Sequence, residues 1–494
     1  MTQPDLRVVA GAQTIVLRPS ATRESSKELV DGALVVHVPM RHPQVGDRHK
    51  VALLELKADL AHGRVGRAGQ LLRRAWLKVL KLDPRPSGSK AQQLELTFGG
   101  LIDRLQPDVV YAQDPAMLAV ASRAADRAKL QKRTLKVVAE EASASQAKAT
   151  PPRERRLLIG PVNSAGQAWL WANALEQVVP TETLSTTAAK YEFPAHRIAT
   201  AEQYKSDLRW QYDLAAYVLA EVSHVLFEAG RPLFGQLPGQ LWTSEVPSLD
   251  KAGIKHGVIF HGSEIRDPAR HRELFAYSPF QDPQDDFTQR LQAAHDALRR
   301  HLATYEGPVF VTTPDLLEFV DNGTWLPLTV DVDALASDRP VLEREVPVVL
   351  HAPSSSALKG SAYVDPVLAE LDARGLIKYQ RVEGVRHTEL AALVKDADIV
   401  VDQLTLGSYG VLACEAMAAG RVTVGHVADR VRAKLPTELP IAEATPSDLG
   451  TVIERLISER ETARKLADSG AAYVRELHDG RRAVAALLPF LGGK

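Results

Sequence analysis

A short segment at 411–420, VLACEAMAAG, places a single carboxylate, Glu415, among alanine, methionine and cysteine. A helix of this composition is expected to be buried, and burying an unpaired charge is costly. Glu415 therefore has either a bonded partner inside the fold or a ligand to bind. A carboxylate here can accept two hydroxyl hydrogen bonds, as a ribose offers, whereas a bonded acid in a packing helix is the structural alternative.

The residues that precede this helix are suited to bind an anion. An apolar strand at 397–403 leads to Gly407 and Gly410, which let the backbone turn and approach a ligand closely. The helix is predicted to begin near Val411, so that the backbone N–H groups of Gly410, Val411 and Leu412 point to the strand end. Together with the helix dipole, these groups are suited to a phosphate.

A second loop, HAPSSSALKG at 351–360, follows another predicted strand and ends in Lys359 and Gly360. A lysine at this position can reach a phosphate as a point charge, and a solvated surface lysine is the alternative. Ligands of doubly wound sheets bind at the carboxyl ends of the strands. We therefore expect both loops to belong to one site.

Strands and helices must position these loops, and patterns typical of both are found along the whole chain of 494 residues. Short apolar runs alternate with helical segments, which predicts an α/β fold with parallel sheets. This length predicts two or three domains. We place them at 1–150, 156–335 and 340–494, with an Ala-, Ser- and Pro-rich linker at 142–155. The strand candidates of the first domain are LRVVAGA, GALVVHVPM, PDVVYAQD and TLKVVAEEA.

Composition and charge narrow the classes of function. The formal net charge of −1 provides no general attraction for nucleic acid, and no apolar run approaches the roughly 20 residues that span a bilayer. Cys414 is the single cysteine, so no disulfide can form within the chain, which is compatible with a reducing cytoplasm. The first residues lack the pattern of a secretory signal. The expected location is cytoplasmic, with peripheral contact at the inner face of the membrane.

One basic segment motivates this membrane contact. Residues 64–81 contain six arginine and lysine residues and no acid, and apolar residues share one face of a helical wheel. A helix of this kind is suited to the surface of an anionic membrane. The alternative is a core-docked helix with a solvated basic face.

Taken together, the two loops resemble the C-terminal domain of the GT-B glycosyltransferases, most closely the retaining enzymes of family 4. In that family a Lys-Gly pair contacts the diphosphate of the donor, and a Glu followed by Ala-Met-Ala-x-Gly holds the ribose. Lys359, Gly360 and Glu415 match these positions. Tyr409 and Gly410 match part of the family's Gly-aromatic-Gly turn.

The sequence departs from the family at two positions. The Arg that precedes the Lys-Gly pair is absent, because Pro353 and serines stand there. The first Glu of the family's acidic pair, which contacts hydroxyls of the donor sugar, falls on Gly407. Nucleotide binding is thus expected to be retained, and Asp402 and Gln403 are polar substitutes within reach of the sugar.

The resemblance extends to the second block and covers residues 156–485. LLIGPVNSAGQ resembles the first strand and glycine loop of the GT-B N-terminal domain, with Asn163, Gly166 and Gln167 as loop candidates. GVIFHGSE resembles the strand that ends in His-Gly near the donor, which makes His261 a catalytic candidate; a hydrogen-bonded histidine at a strand end is the alternative. The implied architecture is two facing Rossmann-like domains with parallel sheets, plus an extra N-terminal Rossmann-like domain.

The resemblance implies a metal-independent hexosyltransferase without a cofactor. Its donor would be a nucleotide diphosphate sugar, UDP- or GDP-linked, and its acceptor an unidentified hydroxyl, as in cell-envelope polysaccharide synthesis, with retention at the anomeric carbon. No metal site is expected, since the Asp331-Val332-Asp333 pattern falls in the interdomain hinge. A degenerate glycosyltransferase that binds a nucleotide sugar or a partner protein without turnover is the alternative, and a GT-B sugar epimerase is a third hypothesis.

Overall fold

The structure is a computed structural model that describes residues 6–10, 13–20, 26–30, 33–39, 94–112, 115–131, 133–139, 154–186, 193–235 and 241–492. The chain divides into two compact units. The first unit comprises Met1–Glu154, Ala199–Ser223 and Pro232–Ile254, and the second unit comprises Arg155–Ile198, His224–Arg231 and Lys255–Lys494. The three domain ranges predicted from the sequence stay predictions. The basic segment 64–81 and most of the linker, 142–153, lie outside the described residues.

The first unit contains a six-stranded sheet in the order β3-β4-β2-β1-β5-β6. Its strands are β1 (Leu6–Ala10), β2 (Gln13–Ser20), β3 (Ser26–Val30), β4 (Ala33–Pro39), β5 (Val109–Ala112) and β6 (Lys136–Ala139). The four predicted strands are present as β1, β4, β5 and β6. The sheet is mixed, because β1 is antiparallel to β2 and β5, and β3 is antiparallel to β4. Two neighbouring pairs are parallel, β2–β4 and β5–β6. A helix lies between β5 and β6 in the chain, which is the crossover form of a Rossmann domain.

Helices from two parts of the chain belong to the first unit. They are α1 (Gly100–Leu105), α2 (Pro115–Leu130), α4 (Ala201–Lys205), α5 (Leu208–Glu221) and α6 (Val246–Lys251), with a π-helical turn at Glu95–Gly99 before α1 and a 3₁₀ turn at Trp242–Ser244. Helix α5 packs against β3 and β4, and α6 packs against β3. The backbone N–H of Lys27 in β3 donates to the Ser248 hydroxyl at 2.8 Å. Residues far along the chain therefore complete this unit.

The second unit begins with a seven-stranded sheet in the order β13-β12-β11-β10-β7-β8-β9. Its strands are β7 (Leu157–Gly160), β8 (Thr181–Ser185), β9 (Arg197–Ile198), β10 (His224–Glu228), β11 (Lys255–Phe260), β12 (Val309–Val311) and β13 (Thr324–Trp325). Every neighbouring pair is parallel. This is the Rossmann order 3-2-1-4-5-6 with one added strand, and its topological switch point lies between β7 and β10.

The second sheet of this unit has five parallel strands in the order β15-β14-β16-β17-β18. They are β14 (Val348–His351), β15 (Lys378–Arg381), β16 (Ile399–Val401), β17 (Val422–Gly425) and β18 (Ala442–Glu443). This is the doubly wound order 2-1-3-4-5, and its switch point lies between β14 and β16. The predicted α/β fold with two parallel sheets in this part of the chain is confirmed.

Helices cover both sheets of the second unit. They are α3 (Gln167–Leu175), α7 (Pro268–Leu274), α8 (Asp286–Leu302), α9 (Val332–Leu335), α10 (Ser356–Lys359), α11 (Ser361–Ala373), α12 (His387–Asp396), α13 (Val411–Ala418), α14 (Asp429–Arg432), α15 (Leu449–Ser458), α16 (Arg460–Leu477) and α17 (Arg481–Leu491). The last helix, α17, returns to the half that contains β7 and packs against α3. Ala483, Leu487 and Leu491 lie four residues apart on one face and join the core beneath β7. Among the described residues, no helix combines the length and the apolar character that crossing a bilayer requires.

Candidate functional site

The switch point of the five-stranded sheet borders a cavity of about 350 Å³. Lys359, at the end of α10, and Val411, Leu412 and Glu415, in α13, line it. The other described lining residues are Ser164, Ala165, Phe193, Ala352, Pro353, Ser354, Val382, Glu383, Gly384, Val385, His387 and Leu390. The two loops that were expected to share a site therefore meet at one cavity, and residues of the seven-stranded half line it as well.

Lys359 is held by an internal anion. Its ammonium lies 2.8 Å from one carboxylate oxygen of Asp402, and the N–H of Gly410 donates to the other oxygen at 2.9 Å. The Asp402 side chain is 2% exposed and that of Lys359 is 15% exposed. The lysine is the last residue of the short helix α10, because Gly360 adopts φ 77° between α10 and α11. A phosphate that binds here must compete with Asp402 for the Lys359 ammonium, or share that ammonium with it.

Glu415 has both a partner and a place in the cavity wall. Its Oε1 lies 2.6 Å from Nε2 of His387, the first residue of α12, and its side chain is 6% exposed. The hydrogen bond to Glu415 raises the pKa of His387 above its ordinary value, with a further contribution from the Glu415 charge. Glu415 therefore has a bonded partner inside the fold, and its role in binding a ligand stays a prediction. Sequence reasoning missed His387, although it directly follows the loop after β15, a third strand of the same sheet.

Gly407, at the position of the family's first Glu, lies against an aromatic ring. It adopts φ 65°, and a Cβ placed on it would lie 2.5 Å from Cδ1 of Phe275. Gly407 is not among the described residues that line the cavity. The space near this position is thus taken by the Phe275 ring, and the role of Asp402 and Gln403 as substitutes for the Glu stays a prediction.

Gln403 and Tyr409 support the turn and are also absent from the described lining. The amide of Gln403 donates to the carbonyl of Ser408. The hydroxyl of Tyr409 lies 3.2 Å from the Tyr473 hydroxyl and 3.2 Å from Nε2 of His478. Gly410 approaches Lys359 closely, since a Cβ on it would lie 3.0 Å from the ammonium nitrogen. These residues hold the loop that carries Asp402 and the start of α13.

The glycine loop of the seven-stranded half is folded around a buried acid. The N–H groups of Val162, Asn163 and Ser164 donate to the Glu228 carboxylate at 3.0, 2.7 and 3.4 Å. Gln167 bonds through its amide to both backbone groups of Thr329.

Two residues of this loop, Ser164 and Ala165, reach the cavity. A Cβ on Gly166 would lie 2.8 Å from the Phe193 ring, which lines the same cavity. The loop thus places two residues at the cavity, while its backbone N–H groups donate to Glu228 inside the fold.

His261 is bound to the same buried acid. Its Nε2 lies 3.2 Å from Glu228, its ring stacks on Trp171 at 6.1 Å between centroids, and its backbone N–H donates to Glu264. Burial lowers the pKa of His261, but the hydrogen bond and charge of Glu228 outweigh it and raise the pKa above its ordinary value. His261 is not among the described lining residues, and its catalytic role stays a prediction.

The D-x-D pattern has structural partners. Asp331 accepts from the N–H of Ala334 at 2.9 Å as the cap of α9, and Asp333 pairs with Arg475 at 2.9 Å. Within the described residues, no group of three or more His, Cys, Asp or Glu side chains could hold a metal ion.

The sequence matches no protein-family model and no curated protein. Solved structures resemble it at low identity. A glycosyltransferase from Rickettsia africae ESF-5 is 12% identical, with a TM-score of 0.45, over 69% of this chain and 98% of that one. Anabaena Alr3699/HepE in complex with UDP-glucose is 11% identical, with a TM-score of 0.45, over 68% and 98%. Sucrose-phosphate synthase from Thermosynechococcus elongatus is 14% identical, with a TM-score of 0.44, over 68% and 97%.

Proposed function

We propose that this protein is a glycosyltransferase whose donor is a nucleotide diphosphate sugar. One observation carries the proposal: Lys359, the first turn of α13 and Glu415 line one cavity at the switch point of a doubly wound sheet. The cavity volume of about 350 Å³ falls in the range of small-molecule sites, about 300–1,000 Å³. The sequence resemblance to family 4 supports the same assignment of these residues.

Each group has a separate task in this proposal. Glu415 accepts hydrogen bonds from the ribose hydroxyls. The Lys359 ammonium and the N–H groups at the start of α13 bind the diphosphate and stabilise the charge that develops on it as the glycosidic bond to the leaving group breaks. We propose that these groups replace a metal ion, that a hexosyl unit from a UDP- or GDP-linked donor is transferred, and that the configuration is retained.

The acceptor is expected to enter from the side of the cavity formed by the seven-stranded half. Ser164, Ala165 and Phe193 come from that half. We propose a hydroxyl acceptor, with the leaving phosphate assisting its deprotonation. A cell-envelope polysaccharide is the class of acceptor that we propose, together with cytoplasmic action.

A second candidate function is binding of a nucleotide sugar without turnover. The observation that favours it is the Phe275 ring against Gly407, where the family carries a Glu that contacts the donor sugar. Without that acid the diphosphate and ribose can still be bound, while the sugar has one hydroxyl contact fewer.

Two measurements test these functions in order. Thermal shift with UDP, GDP, ADP and TDP sugars identifies the donor, since a ligand at 100 times its dissociation constant stabilises the fold by about 2.7 kcal/mol. Release of nucleoside diphosphate in the presence of bacterial lysate acceptors then measures turnover. Stabilisation with turnover supports the transferase, stabilisation without turnover supports the binding protein, and no shift with any nucleotide contradicts both.

A further inference from the structure

We propose that His387 is a positioning residue that orients Glu415 for the ribose hydroxyls, an inference that rests on the proposed nucleotide site. The sequence motifs do not include this histidine. It lies at the start of α12, after β15, whereas Lys359 follows β14 and Glu415 follows β16. The three strands are neighbours in the sheet order β15-β14-β16, so their loops meet at one edge.

The contact between the two side chains is short and lies in the cavity wall. Nε2 of His387 donates to Oε1 of Glu415 at 2.6 Å, and both residues line the cavity. Of the described side chains, His387 is the one that forms a hydrogen bond with this carboxylate. The other residues of α13 are Val, Leu, Ala, Cys and Met, which offer no strong donor.

A carboxylate of this kind needs a fixed plane to bind two hydroxyls. The terminal torsion of a glutamate is broad, so an unbonded carboxylate samples many orientations. A bond from His387 to one oxygen removes most of this freedom. Because an ionised carboxylate has about four lone-pair sites, the same bond leaves acceptor capacity for both ribose hydroxyls.

The imidazole also contacts an aromatic ring. The ring of Phe193 lies 5.0 Å from the His387 ring, centroid to centroid, at an interplanar angle of 48°, and it lines the same cavity. Phe193 is in turn packed against Gly166, where a side chain would collide with it. The histidine thus contacts both Glu415 and an aromatic ring that packs against the glycine loop.

A merely structural histidine would neutralise a buried acid and nothing more. The two roles differ in ribose discrimination, which is the affinity for a nucleoside diphosphate relative to its 2′,3′-dideoxy counterpart. A positioning role requires that this ratio fall when the donor at 387 is lost. A structural role predicts that ribo and dideoxy ligands lose affinity together.

The experiment uses the full-length chain and isothermal titration with UDP, GDP and ADP, each paired with its dideoxy form. The wild type is expected to prefer a ribo ligand by about tenfold or more, because two hydrogen bonds to a charged group are involved. His387→Ala should reduce this preference to about threefold or less, and His387→Gln, which keeps a donor, should restore most of it. Thr388→Ala, an exposed neighbour on α12, is the matched control and should retain the wild-type ratio.

If the alanine variant does not fold, His387→Phe replaces it, since a ring without a donor can still pack on Phe193. The inference is overturned if the wild type binds a nucleoside diphosphate without ribose preference, or if the variant that lacks a donor keeps the wild-type ratio. Equal loss of both ligands in the glutamine and alanine variants also overturns it. Failure of the wild type to bind any of these nucleotides instead overturns the proposed function.

Discussion

Replacing Asp402 with asparagine should tighten the binding of nucleoside diphosphates. In the free protein the Asp402 carboxylate occupies the two groups proposed to bind phosphate, the Lys359 ammonium and the Gly410 N–H. Asparagine keeps a carbonyl oxygen for the Gly410 N–H but carries no charge. The substitution therefore removes the anion that competes with the ligand while leaving an acceptor in the loop.

The size of this effect follows from the geometry. A phosphate oxygen about 2.8 Å from the Lys359 ammonium would lie at most about 5.6 Å from the Asp402 oxygen that pairs with it. Two unit charges at this separation repel by about 3 kcal/mol at an effective dielectric constant of about 20. Solvent in an open cavity screens part of this repulsion, so we expect the dissociation constant to fall about 10- to 100-fold.

The stability of the free protein should change in the opposite direction. The variant leaves Lys359 without its partner, and breaking a largely buried ion pair by removing one charge destabilises a fold. The expected signature is a lower melting temperature without ligand together with a larger increase when UDP or GDP is added.

Isothermal titration measures the affinity, and differential scanning calorimetry measures the stability. Asp468→Asn, which removes an exposed acid from α16, is the control for a general change in net charge. Unchanged or weaker nucleotide binding in a folded Asp402→Asn protein would refute the reasoning, because Asp402 would then support the ligand rather than compete with it.

Three further substitutions test separate parts of the site. Glu415→Gln keeps an acceptor for its histidine partner but loses the charge. Nucleotide affinity, measured by titration, should therefore fall about 10- to 100-fold with little change in melting temperature. Strong destabilisation with unchanged affinity would instead show that the acid is purely structural. Gly407→Glu should lower the melting temperature and should not raise turnover, because the backbone is at φ 65° and Phe275 occupies the space that the new side chain needs. A stable variant with increased release of nucleoside diphosphate would contradict this expectation. Burial lowers the pKa of His478 to about 4 from its ordinary 6.5, so its neutral form stabilises the fold above pH 6.5 and this contribution is lost as the pH falls towards 4. His478→Gln should therefore flatten the decline of the free energy of unfolding over that range, by at most about 1.4 kcal/mol per pH unit. Denaturant unfolding at a series of pH values measures this slope, and an unchanged slope would contradict the assignment.

Local features of the site could be predicted from the sequence. The start of α13 at Val411 agrees with the prediction, because the glycine turn and the helix-forming run that follow β16 are encoded by neighbouring residues. The meeting of the Lys359 and Glu415 loops was also predictable, since parallel strands bring their carboxyl ends to one edge. Turn chemistry and strand alternation act over a few residues, so they can be recognised without a structure.

The partners of the site residues could not be predicted in this way. Phe275 against Gly407 and His387 on Glu415 join residues far apart in the chain. The mixed sheet of the first unit, and the return of Ala199–Ser223 and Pro232–Ile254 to it, likewise had no local signal.

The sequence by itself determined the alternation of strands and helices, the glycine turns and the positions of the candidate lysine and acid. Only the tertiary structure decided that an internal carboxylate lies between Lys359 and the start of α13, and that an aromatic ring fills the place of the family's first acid. The physical reason is that backbone preference depends on adjacent residues. The charge and space available to a ligand depend on which distant side chains the two sheets bring to the same cavity.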